Sequence, residues 1–277
     1  MAIEALVPLG GEYIARFRDG LDAGWIDVHS NKCKRGGAYS CGVYGVHPFI
    51  LLNYNGELND VMTLVHEMGH ALHSYFSHKT QPYPTADYTI FCAEVASTAN
   101  EELALDYMIR SESDEQKKIY LLNQRLERVR TTIYRQTMFA SFERAVHERN
   151  EKGEDTTAEA LGKMWLALNE KYFGSEVTID NLIRLEWSRI PHFYSPFYVY
   201  QYATGYSAAA SIARKITCEG APAVKRYMRF LSGGGSDYSI ELLKQAGVDM
   251  NSPEPIRGAL LAFASTLDEM ENMIYCQ

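Results

Sequence analysis

Cysteine is sparse and unpaired in this sequence: Cys33, Cys41, Cys92, Cys218 and Cys276 are odd in number and show no CxxC spacing. That argues against a disulfide framework and a thiolate metal site, and it suits a reducing, cytoplasmic setting. Blocks of basic charge are missing too. The 27 Lys and Arg against 35 Asp and Glu give a net charge of -8 spread along the chain, which removes nucleic acid and anionic membrane from the expected partners. No apolar run reaches membrane-spanning length, and Met1-Ala2-Ile3-Glu4-Ala5 lacks the order of a signal peptide. Internal repeats and low-complexity stretches are also absent. What is present is a 277-residue chain, 46% hydrophobic and 22% charged, with the balance of a soluble globular protein and enough length for one large core or two smaller ones.

Glycine, aromatic and β-branched residues concentrate between Trp25 and Tyr54, which predicts a small sheet over about 25–55. Within it, residues 36–42 read as a tight turn or an exposed edge, and 49–54 as a buried strand. The rest carries helical spacing. A helix is expected near 2–20, and others over about 59–77, 88–110, 115–149, 157–172, 178–187, 196–217, 221–231, 238–246 and 254–274. Asn59, Thr156 with Glu159, and Ser195 before Pro196 are the expected helix starts. The run Ser232-Gly233-Gly234-Gly235-Ser236 reads as a mobile loop. The fold class is therefore mainly α with a small β-sheet, taken as one domain over 1–277.

The chemistry-bearing motif is His66-Glu67-Met68-Gly69-His70. On a helix His66 and His70 lie about 40° apart and one turn along, so both imidazoles leave the same face toward one ion. Val61, Leu64, Val65, Met68, Leu72, Tyr75 and Phe76 fall on the opposite side and anchor the helix in a core. Glu67, between the two faces, is placed to accept a proton from a water at an open metal position. Incidental surface histidines are the bland reading of such a match; the polar ligand face on an amphipathic helix argues for zinc. His73 shares the ligand face, but three ligands from one straight helix do not converge on a tetrahedral ion, so a position beside the ligands or on the substrate side is expected for it.

A catalytic zinc takes three protein ligands, so one more must come from another element. Glu94 is the leading candidate, ahead of Asp87, Glu101 and Glu102, because the small residues of Phe91-Cys92-Ala93-Glu94-Val95-Ala96-Ser97-Thr98-Ala99 allow two helices to approach closely. Glu101, two turns on, is placed to orient a ligand histidine.

With these two runs, and with Ile190-Pro191-His192-Phe193-Tyr194-Ser195-Pro196-Phe197-Tyr198-Val199-Tyr200-Gln201-Tyr202-Ala203-Thr204-Gly205, most of the chain resembles the thimet oligopeptidase family of zinc metallopeptidases, and within it the oligoendopeptidase F branch. The resemblance implies a zincin-type, neurolysin-like channel fold. It implies one Zn2+ held by His66, His70 and Glu94, Glu67 as general base, and short peptides as substrates. It also implies that His192 and nearby tyrosines contact substrate and the developing oxyanion. His192 matches directly; the spacing after it departs from the thimet oligopeptidase pattern, leaving Tyr198 and Tyr202, four apart, as oxyanion donors and Tyr194 as a substrate contact. Members of that family are roughly twice this long, so their N-terminal helical region is expected to be missing here.

The 36–42 and 49–54 segments offer an edge for an extended peptide, with Gly37 and Tyr39 as substrate contacts, although a purely structural turn fits equally. Three readings follow. The first is a zinc endopeptidase for oligopeptides; the second, in the same chemistry, is a carboxypeptidase or dipeptidyl carboxypeptidase, which needs a cation for the terminal carboxylate. The third is a truncated, non-catalytic zinc- or peptide-binding protein.

Overall fold

The computed structural model describes residues 1–275, and Cys276 lies outside them. Two compact units divide the chain: residues 1–126 with 205–277 form one, and residues 127–204 the other.

In the larger unit the chain opens with α1 (Ala2–Leu6), a 3-10 turn (Val7–Leu9) and α2 (Gly11–Asp22). The expected single helix is broken there because Pro8 withholds a backbone donor and Gly10 takes a φ of 90°. The sheet follows: β1 (Ile26–Asp27), β2 (Tyr39–Cys41) and β3 (Phe49–Leu51), in the order β1-β3-β2. β3 is central, parallel to β1 and antiparallel to β2, with Tyr39 opposite Leu51 and Cys41 opposite Phe49. β2 therefore stands at an edge. Ile50 and Leu52 are buried beneath the sheet, whereas Phe49 is exposed, as the two-residue period of a one-sided sheet requires.

Two long helices, α3 (Leu58–Thr80) and α4 (Ile90–Ser111), cross the centre of this unit. α3 begins at Glu57, not at Asn59: Glu57 accepts from the backbone N–H of Asp60, whose carboxylate accepts from Glu57 N–H, a capping box built from two acids. Val65, Met68, Leu72 and Phe76 are buried on its core side, and Val61, Leu64 and Tyr75 are half-buried. The unit continues with α5 (Glu115–Val129) and, after the smaller unit, α8 (Tyr200–Glu219), α9 (Ala221–Leu231), α10 (Ser239–Gln245) and α11 (Glu254–Tyr275). The 232–236 loop is pinned, against expectation. Gly235 N–H donates to Thr85 O at 2.9 Å, Gln81 Nε2 donates to Ser232 O, and Gly234 sits so close to Thr85 O that no Cβ fits. The glycines there serve a close backbone approach.

The smaller unit holds a π-helical turn (Arg130–Tyr134), α6 (Arg135–Glu151), α7 (Ala158–Phe173) and 3-10 stretches over Asn181–Arg189 and Pro191–Tyr194. The π turn interrupts what the spacing predicts as one helix over 115–149. α7 is capped by Thr157, which accepts from Ala160 N–H, one residue later than expected. Met138, Phe139, Phe142, Trp165, Ile190 and Val199 form its core, with Phe193 and Trp187 packed against them. The four cysteines among the described residues are free, and no described helix is long and apolar enough to cross a membrane.

Candidate metal centre

Close packing of α3 on α4 builds the centre. A Cβ on Gly69 would lie 2.6 Å from Ser97 Cα and 3.1 Å from Ala96 O, so the helices meet backbone against backbone at that position. Three long-range hydrogen bonds hold the crossing. Buried Asn100 donates from Nδ2 to Val65 O (3.2 Å) and accepts from Tyr13 Oη (2.8 Å), while Tyr227 Oη donates to Ala96 O (3.3 Å). Val65 immediately precedes His66, so this clamp fixes the turn that carries that imidazole.

The crossing brings His66, His70 and Glu94 together, with one donor atom of each within 4.8 Å of the others; this is a group able to hold a metal ion. The two Nε2 atoms are 3.1 Å apart, and Glu94 Oε2 and Oε1 lie 3.8 and 3.9 Å from His66 and His70 Nε2 respectively. Two ligands at 2.0–2.1 Å from a tetrahedral ion stand roughly 3.3 Å apart, so the imidazoles are already spaced for one, and the carboxylate needs roughly half an ångström of inward motion. The opposite ring nitrogen, His66 Nδ1, is 3.3 Å from Glu101 Oε1. A proton on Nδ1 facing that carboxylate leaves Nε2 as the ring's lone-pair donor.

Electrostatics of the metal-free chain point the same way. Burial pulls the His66 pKa down, but the Glu101 hydrogen bond and the nearby Glu101, Glu94 and Glu67 carboxylates raise it overall. Burial raises Glu94 and Glu67, partly offset by His66, and the neighbouring carboxylates raise them further. His70 is depressed to about 3 by burial and by the charge on His66. Glu67, Glu94 and Glu101 thus repel one another around two imidazoles, an excess of negative charge that a divalent cation relieves. Glu67 is 7% exposed on the same helix as both histidines.

His73 does not reach the substrate side. It is 1% exposed, stacked on Tyr88 at 3.6 Å between ring centroids and packed on Phe230, and its pKa falls to about 3 through burial. The helical wheel keeps it within about 20° of His66, but at this point along α3 Tyr88 and Phe230 cover the face, so the imidazole belongs to the core and is out of a substrate's reach. Tyr88, which lies outside the motifs, donates to His70 O at 3.2 Å and shares a 2.7 Å hydrogen bond with Ser74. Tyr39 is half exposed on edge strand β2. Gly37, with φ 89°, lines a separate cavity of about 240 Å³ with Asn53 and Asp60, and its carbonyl accepts from Asn53 Nδ2.

In the smaller unit, His192, Tyr198 and Tyr202 form their own cluster. Tyr202 Oη lies 3.2 Å from His192 Nε2 and donates to Tyr198 Oη at 3.3 Å, and the His192 and Tyr198 rings stack. The expected helix start at Ser195 is not observed. Phe197 has φ 58° and its N–H donates to buried Glu143 at 2.8 Å, so 195–199 turns before α8 begins at Tyr200. The two hydroxyls meet across this turn instead of along one helix face. Tyr194 is 86% exposed.

The chain belongs to peptidase family M3, whose model matches residues 8–260. Oligopeptidase PepF of Bacillus subtilis (strain 168) is 52% identical over 272 residues, covering 98% of this chain and 41% of the relative. The chromosomal oligoendopeptidase F of Lactococcus lactis subsp. cremoris is 42% identical over 99% of this chain and 45% of its own length. Among solved structures, oligoendopeptidase-F from Enterococcus faecium superposes with a TM-score of 0.77 at 38% identity, over all of this chain and 43% of that one. A Chlamydophila abortus protein reaches 0.91 at 44% identity, over 98% and 46%. The chain thus spans less than half the length of these relatives.

Proposed function

We propose that residues 1–277 form the catalytic domain of a zinc peptidase that hydrolyses short oligopeptides. The observation that carries this reading is the convergence of His66 Nε2, His70 Nε2 and the Glu94 carboxylate beside a buried Glu67 on one helix. Two imidazoles and one carboxylate are a donor set that suits a catalytic zinc, which keeps one position open. Zinc, when bound by these three residues, supplies Lewis acidity toward water and a peptide carbonyl.

The protein's own groups do the rest. Glu101 holds His66 in the tautomer that presents Nε2. Glu67 accepts a proton from the attacking water and returns it to the leaving amine; burial keeps its proton affinity above that of an ordinary carboxylate, which suits both halves of that transfer. His192, Tyr198 and Tyr202 are assigned as donors to the carbonyl oxygen as it gains charge, a role supported by the family relationship and by the hydroxyl–imidazole cluster they form. Tyr39 and Gly37 on and beside the sheet edge, with exposed Tyr194, are assigned to peptide binding.

The test is zinc dependence. Purified protein is expected to bind one zinc per chain, to lose hydrolysis of an internally quenched peptide on chelation, and to regain it with stoichiometric zinc. Glu94→Gln is expected to weaken zinc binding and activity together; full zinc affinity in that variant would remove Glu94 from the site.

A further inference from the structure

A cavity of about 440 Å³ opens beside His70, and its other lining residues have no part in the chemistry assigned above. One of its walls is a stripe of α3: His70, Ser74 and His78 recur every four residues on one helix face, two turns in all, or about 12 Å. At one end are His70 and Ala93, the neighbour of Glu94; at the other are His78 and Asp87. Strand β2 forms another wall. Gly42, just after it, is seated so closely that a Cβ would lie 2.6 Å from Ser74 Oγ and 3.2 Å from His78 Cε1, and Ser40 Oγ is buried with no hydrogen-bond partner.

The polar groups inside are mostly committed. The Ser74 and Tyr88 hydroxyls bond each other, and His78 stacks on Tyr44 with Nε2 3.7 Å from Asp87 Oδ1. The lining contains one acid, Asp87, whose side chain is fully exposed, and no Lys or Arg. Asp87 is therefore the one formal negative charge at the far end of the cavity, solvent-screened and facing only the His78 imidazole. An extended peptide advances about 3.4 Å per residue. Two residues of extended chain cover about 7 Å, and a Lys or Arg side chain adds to that reach along the His70–His78 stripe.

We propose that this cavity is a subsite for a cationic side chain, Lys or Arg, close to the scissile bond, with Asp87 as the residue that selects it. The proposal rests on the peptidase reading. Because Asp87 is exposed, the selection is modest, about two- to fivefold in kcat/KM.

The experiment uses internally quenched peptides carrying arginine or its neutral isostere citrulline, placed in turn at each of the two positions on either side of the cleaved bond. Zinc-loaded wild type is expected to prefer arginine at one of these positions by about two- to fivefold, less in high salt. Asp87→Asn is expected to bring that ratio to about one, and Asp87→Lys to invert it. Cleavage of both peptides at equal rates at every position, or a preference that survives in Asp87→Asn, overturns the subsite alone. No cleavage of any peptide, citrulline versions included, overturns the peptidase reading and the subsite with it.

Discussion

Glu101 and His73 show how two polar residues near one metal site come to do different work. Glu101 reaches His66 Nδ1 at 3.3 Å, so replacing it by Gln leaves the size unchanged but removes the charge that holds the imidazole. Glu101→Gln is expected to weaken zinc binding roughly 10- to 100-fold in a competition titration against a chromogenic chelator; unchanged affinity would make the contact incidental. His73 is buried as the neutral imidazole, with its pKa lowered to about 3 from an ordinary 6.5. Between those values the unfolded chain binds more protons than the folded one, so the stability this burial contributes is full above about pH 6.5 and is lost as pH falls toward 3. His73→Phe is expected to flatten that acid limb, on the order of a few kcal/mol, in urea midpoints of the metal-free protein compared at pH 5 and pH 7. An equal pH dependence in both proteins would contradict the burial argument.

At the scale of elements, the HExxH run is useful only because α3 can touch α4. Gly69 and Ser97 meet with no room for a Cβ, and the small residues around Glu94 announce that approach in the sequence itself. Gly69→Ala is expected to cost about 1–3 kcal/mol and to lower zinc affinity, because the helices must part and Glu94 recedes with α4. Thermal unfolding and zinc titration of that variant check both effects; an unchanged zinc affinity would show that the crossing does not set the ligand geometry. The close approach was legible because local composition encodes it, and so were the helix periods and the small sheet. The clamp formed by Tyr13, Asn100 and Val65 was not, since its partners lie 87 and 35 residues apart. The α3 cap was misplaced by two residues because Glu57 and Asp60 satisfy each other, a pair outside the usual Ser, Thr and Asn caps; the α7 cap moved by one because Thr157, not its neighbour Thr156, takes the Ala160 N–H. The turn at Phe197 was hidden for a related reason: the acceptor of its N–H, Glu143, is 54 residues away.

For the whole molecule, the division into two units separates the metal centre, in the larger, from the His192, Tyr198 and Tyr202 cluster, in the smaller. Each unit has its own core. Tyr202→Phe removes the hydroxyl that links His192 to Tyr198 and leaves the ring. If that hydroxyl serves the carbonyl oxygen, kcat is expected to fall about 100-fold with zinc content unchanged, measured on the same preparation; a rise in KM with kcat unchanged would assign it to peptide binding instead.

In the proposed reaction Glu67 is the proton-transferring base of a site whose metal it does not hold. Zinc content and hydrolysis of one quenched peptide, measured side by side for wild type and Glu67→Ala, test it most directly. The expected result is one zinc per chain in both proteins and a loss of at least about 100-fold in kcat for the variant. Hydrolysis that survives the substitution at the wild-type rate would contradict the claim.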